Sequence, residues 1–160
     1  PELLADGIQV LHVTGTLDWE QFSARRAELC QNENGCDDYH AFAYLHEDMA
    51  LAMASADLVV CRSGASTLGE LPLFGLPSVL VPYPYAWRYQ KVNADYLVEQ
   101  GAAVLLRDEA MPNELLPTLR SLFADAARLA AMRAAATKLA QPEGALNVAR
   151  ELLRLAGDEL

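Results

Sequence analysis

The sequence is short of cysteine, of basic charge and of long apolar runs, and each shortage closes off a class of function. Cysteine occurs three times in 160 residues, at Cys30, Cys36 and Cys61. An odd count at no zinc-like spacing fits a reducing compartment better than a disulfide scaffold. Lysine and arginine number 12 against 22 acidic residues, a net charge of −10. Nucleic-acid binding needs a basic face to displace phosphate counterions, so this balance argues against it. The same deficit argues against docking of this chain on anionic lipid by charge alone. No stretch reaches the roughly 18 consecutive apolar residues of a membrane span. No segment has the layout of a signal peptide. The chain opens at Pro1 rather than methionine, as a processed chain or a piece of a longer protein would.

Hydrophobic residues make up 52% and charged residues 21%, a composition that folds rather than stays disordered. The length predicts one domain, 1–160, with a core of its own.

Apolar runs of strand length alternate with stretches of helical spacing. Strands are expected at Ile8–Val13, His40–Leu45, Ala56–Cys61, Ser78–Val81 and Ala102–Leu106. Helices are expected at Trp19–Leu29, Asp48–Ser55, Ser66–Phe74 and Arg88–Gln100, the last two stopped by Gly75 and Gly101. From Pro112 onward the chain reads as mostly helix, broken near Gln141-Pro142-Glu143-Gly144. Continuously apolar strands mean that both sheet faces are covered. The expected class is therefore α/β, a Rossmann-like doubly wound parallel sheet.

Ligands of such folds bind beyond the carboxyl ends of the strands. That rule selects the loops after Val13, Leu45, Cys61 and Pro82. The third says most: ADLVVC runs straight into RSGASTLGE. A strand, a turn of small residues and a helix start suit a phosphate, because helix N-termini offer unpaired N–H groups. Gly64 and Ala65 permit close approach to the backbone, and Ser66 and Thr67 add hydroxyls. Taken alone, the segment is also an ordinary tight turn with Ser66 as an N-cap. It lacks the Gly-Lys-Ser/Thr ending of a P-loop and the GxGxxG of a Rossmann oxidoreductase.

Glu70 stands one helical turn beyond Ser66. A carboxylate there is poorly placed for a phosphate but can accept two hydroxyl protons of a ribose diol. Gln90 and Asn93 lie three apart on one helix face and suit the hydroxyls and acetamido group of a sugar. The plain alternative for each is a solvated polar surface. No Asp-x-Asp pair offers a metal site in a suitable loop, and Asp37-Asp38 sits in a polar linker.

ADLVVCRSGASTLGE, then GLPSVLVPYPY, then YQKVNA resembles the carboxy-terminal half of the MurG family, the peptidoglycan UDP-N-acetylglucosamine transferases of glycosyltransferase family 28. The likeness runs from Val10 to about Val148. It implies one half of a GT-B architecture, the half that binds UDP-N-acetylglucosamine. The acceptor domain, which would hold the lipid-linked muramoyl-pentapeptide and the base, is absent. By the resemblance, Tyr44 and Leu45 fall where the uracil is held. Arg62, Ser63 and Gly64 complete the turn motif, Ala65, Ser66 and Thr67 fall on the diphosphate turn, and Glu70 falls on the ribose. Gln90 and Asn93 fall near the sugar. His12, Thr14 and Gly15 match a loop after the first strand, with Val13 in place of a usual polar residue. Tyr89 stands where many members carry His or Gln.

The resemblance further implies an inverting N-acetylglucosaminyltransferase without metal or other cofactor. It would work at the cytoplasmic face of the cell membrane, held there through the missing domain. This half alone should transfer nothing. Two other readings stay open: the donor half of a transferase with another lipid-linked acceptor, and a non-catalytic α/β partner subunit.

Overall fold

Each apolar run singled out above forms a strand, and every paired strand runs parallel to its neighbour. The computed structural model describes residues 2–31 and 37–157. They divide into two units, one ending at Ser55 and one starting at Ala56.

The first unit contains α1 (Glu2–Ala5), β1 (Val10–Val13), α2 (Trp19–Gln31), β2 (Tyr39–Phe42) and α3 (Met49–Ser55). β1 and β2 pair from Val10 opposite Tyr39 to Val13 opposite Phe42. The Thr14 N–H donates to the Phe42 carbonyl at 2.9 Å, carrying the ladder one residue further. His12 is the polar residue in this strand. It sits edge-on to the Phe22 ring of α2, centroids 4.8 Å apart, and its Nδ1 lies 2.9 Å from the Tyr39 hydroxyl. Burial holds the imidazole below its ordinary pKa, because an apolar surrounding disfavours the charged form.

The second unit contains β3 (Val59–Cys61), α4 (Thr67–Leu73), β4 (Ser78–Leu80), α5 (Trp87–Glu99), β5 (Ala103–Leu105), α6 (Met111–Phe123), α7 (Ala126–Lys138) and α8 (Gly144–Ala156). Its sheet has the order β3-β4-β5. β4 is central and wholly buried, which explains why SVLV carries no outward polar position beyond a sheltered Ser78. Val79 pairs with Val60 on one side and Val104 on the other. Leu76, Leu80, Leu97 and Leu122 are fully buried with it, each such side chain stabilising by about 1.5–3 kcal/mol.

The parallel strands and intervening helices are those of the expected Rossmann-like α/β class, with a two-stranded ladder in the first unit and a three-stranded one in the second. One departure from expectation concerns backbone continuity. The helical tail has a second break, at Ala124-Asp125, where the Asp125 carboxylate accepts from the Arg128 N–H and starts α7. Pro117 sits inside α6 without ending it. Gly75 does end α4: its φ is +56°, and a Cβ there would lie 2.5 Å from Thr137 Oγ1 on α7. A side chain is excluded twice, by the backbone conformation and by the close approach of α7. The cysteines also differ from expectation: Cys30 is disulfide-bonded, and Cys61 is a free, half-buried thiol.

Candidate functional site

The carboxyl ends of β3 and β4 lead into two loops that are fastened to the start of α5. Ser63 is fully buried, so its polar atoms need partners. Its hydroxyl donates to the Gln90 carbonyl at 2.8 Å, and its own carbonyl accepts from Asn93 Nδ2 at 3.0 Å. The Tyr83 N–H, in the loop after β4, donates to Gln90 Oε1 at 2.9 Å. An unsatisfied buried group costs about 1–3 kcal/mol, so the helix face that carries Gln90 and Asn93 decides whether Ser63 can be buried at all. Both amides were expected to serve a sugar. Here one half of each is committed to the protein frame.

Arg62 makes a second fastening. Its Nη1 donates to the Val81 carbonyl at 3.2 Å and to the Asp108 carboxylate at 2.5 Å. The guanidinium carbon stands 5.3 Å from the centre of the Tyr83 ring, within the range of a cation–π contact. One side chain thus ties together the loops that follow β3, β4 and β5. Asp108 was missed in the sequence. The strand-end rule, extended to the loop after Leu106, would have found it.

Between these fastenings the turn itself is open. A Cβ on Gly64 would meet no atom within 4 Å. Ala65 and Ser66 are exposed. Among the described residues, the backbone N–H groups of Gly64, Ala65 and Ser66 find no acceptor in the protein. Ser66 stands at the N-cap position of α4 with helical dihedrals, and its side chain makes no capping bond. Buried Thr67 instead turns its hydroxyl back to the Gly64 carbonyl and braces the turn.

Glu70 is exposed, one turn into α4. Among the described residues no hydrogen-bond donor engages its carboxylate. Its negative charge bears on Cys61, whose thiol is pushed up to about 11 by burial first and by Glu70 second. That leaves Cys61 a poor nucleophile at neutral pH.

Tyr44 and Leu45 follow β2 in the first unit. Leu45 is buried, whereas Tyr44 is exposed, its ring 4.7 Å from that of His46. In the same unit the Thr14 hydroxyl donates to the Gly15 carbonyl at 2.9 Å, and Gly15 has a φ of +81°. A surface hollow of about 480 Å³ runs along α2 past Phe22 and Arg25 and contains none of the candidate residues. Among the described residues no group of three metal-binding side chains forms, and no helix is long and apolar enough to cross a membrane.

A parallel α/β chain with an open small-residue turn between a strand and a helix, and a free carboxylate one turn on, has the form of a Rossmann-like domain. Comparison with known proteins makes the assignment particular. Residues 1–148 match the glycosyltransferase family 28 C-terminal domain, and the chain belongs to that family. A relative from Desulforudis audaxviator is 39% identical over 94% of this chain. It is named UDP-N-acetylglucosamine--N-acetylmuramyl-(pentapeptide) pyrophosphoryl-undecaprenol N-acetylglucosamine transferase. A Xanthomonas axonopodis protein of the same name is 50% identical over 69% of this chain and is matched over 26% of its own length. The crystal structure of Acinetobacter baumannii MurG superposes with a TM-score of 0.73 at 28% identity, covering 91% of this chain and 43% of that one. The chain spans 41% of the length of the Desulforudis relative.

Proposed function

We propose that this chain is the donor-binding half of an inverting glycosyltransferase of GT-B architecture, and that its donor is UDP-N-acetylglucosamine. The observation that carries the reading is the pairing of three unengaged backbone N–H groups, at Gly64, Ala65 and Ser66, with the unengaged Glu70 carboxylate one turn away. The amides suit a diphosphate, since oriented N–H groups hold an anion without a competing side-chain charge. The carboxylate suits a ribose diol. Family membership makes the two parts of one nucleotide the natural occupant.

The family resemblance assigns Tyr44 and Leu45 to the uracil. Arg62, Ser63 and Thr67 shape the turn. Gln90 and Asn93 offer the halves of their amides that the frame leaves over. As the glycosidic bond breaks, negative charge grows on the departing UDP, and the turn amides stabilise it without a metal ion. The relatives' printed names supply the acceptor, an undecaprenyl-pyrophosphoryl-linked muramyl pentapeptide. Its binding, the base, and attachment to the cytoplasmic membrane face belong to sequence beyond this chain.

The test is transfer of labelled N-acetylglucosamine to that lipid acceptor. Residues 1–160 alone should give none, because proximity and orientation of the acceptor hydroxyl supply much of the rate. Transfer should appear when the remaining part of such a transferase is joined in cis or added as a second chain. Robust turnover by residues 1–160 alone would place the catalytic machinery elsewhere than proposed.

A further inference from the structure

We propose that Asp108 is a positioning residue for the donor diphosphate, acting through Arg62. This inference rests on the donor-binding reading above and deepens it. A free arginine beside a phosphate turn would ordinarily be taken as a direct ligand of the anion. Here the geometry assigns it different work. Arg62 Nη1 is committed to the Val81 carbonyl and to Asp108, and the guanidinium plane lies by the Tyr83 ring.

Each of these contacts leads back to the turn. Val81 follows central strand β4, and its N–H donates to the Cys61 carbonyl immediately before Arg62. Tyr83 donates its N–H to Gln90, whose carbonyl holds the Ser63 hydroxyl. The two residues that lead into Gly64 are thereby fixed, Arg62 by Asp108 and Ser63 by α5, while Gly64, Ala65 and Ser66 are left open. Asp108 reaches this ring from a short 3-10 helix, Asp108–Ala110, just after β5. It supplies the one charge in the ring opposite to that of Arg62. The pair is part-exposed, 46% for the arginine side chain and 32% for the aspartate. Its energy is therefore modest, and its value lies in fixing where the turn amides stand.

The consequence is a sign that separates two roles. If Arg62 bound phosphate directly, removing the charge of Asp108 would free it and tighten nucleotide binding. If Arg62 acts as a strut, the same change loosens the turn and weakens binding of phosphate-bearing ligands only.

The experiment measures UDP and uridine affinities by calorimetry on the 160-residue chain and on Asp108→Asn, Asp108→Glu and Arg62→Lys. Asp108→Asn is expected to weaken UDP about three- to five-fold, the range open to a part-exposed ion pair. Uridine, with no phosphate to meet the turn, should change by less than about two-fold, and the melting temperature by less than about 3 °C. Asp108→Glu keeps the charge and should recover most of the loss. Arg62→Lys keeps the charge but loses the planar fork, and should reproduce the UDP-selective loss. Unchanged or tighter UDP binding in Asp108→Asn overturns the proposal. So does an equal loss for uridine, which marks a general structural defect, or a failure of Asp108→Glu to recover. Absence of UDP binding by the unsubstituted chain overturns the donor-binding reading itself.

Discussion

Replacing Glu70 with alanine separates the ligand-binding account from a merely structural one, because the side chain has little to do in the folded protein. It is exposed, and among the described residues no donor engages its carboxylate. Surface changes of this kind usually move stability by no more than about 0.5 kcal/mol. If the carboxylate accepts the ribose hydroxyls, the loss on the ligand side is far larger. A hydrogen bond to a charged group contributes about 1.5–3 kcal/mol, so UDP should bind roughly ten- to 150-fold more weakly. Titration calorimetry with UDP and thermal denaturation of the same preparations give both quantities. Glu70→Gln, which keeps the shape and one acceptor, should fall between. Unchanged UDP affinity in Glu70→Ala refutes the assignment. A large drop in melting temperature with unchanged affinity would make Glu70 a residue of the fold.

Gly75→Ala should destabilise the second unit by at least about 1–2 kcal/mol, the cost of a left-handed residue with a side chain, and urea unfolding would register it; a neutral result would mean that the turn between α4 and β4 relaxes freely away from α7. Asn93→Leu leaves the Ser63 carbonyl without its donor and should cost about 1–3 kcal/mol, again read by urea unfolding. The His12 pKa is lowered in the folded chain by burial, so the unfolded chain binds more protons near and below the ordinary value of 6.5. Stability therefore falls as pH falls through 6.5 toward the lower folded value. His12→Gln should flatten that part of the pH–stability profile, and an unaltered slope would contradict the argument.

Much of this was legible in the sequence, for reasons that can be named. β4 announced itself because a strand buried on both faces must be apolar throughout, as SVL is. The turn from Arg62 to Thr67 was legible because a strand, small residues and a helix start leave little other geometry available. Gly75 and Gly101 marked helix ends correctly, and both have positive φ. What was hidden lies in pairings between distant residues. Gln90 and Asn93 share a face as expected, but their use as props for Ser63 depends on a contact about 30 positions away along the chain, which spacing within a helix cannot reveal. The Arg62–Asp108 pair spans 46 positions and has no local pattern at all. The break at Ala124-Asp125 was missed because the leucine-rich α6 and the alanine-rich α7 together keep a helical pattern across it, and the Asp125 cap interrupts it.

The central claim is that this chain recognises a uridine diphosphate sugar, and the most direct measurement is a calorimetric comparison of three donors. UDP-N-acetylglucosamine, an ADP-sugar and a GDP-sugar offer the same diphosphate and ribose to the turn and to Glu70, and differ in the base. The account predicts binding of the uridine compound with clear preference over the other two. Equal binding of all three would contradict the assignment of uracil recognition to this chain, and binding of none would contradict the claim that it is the donor half.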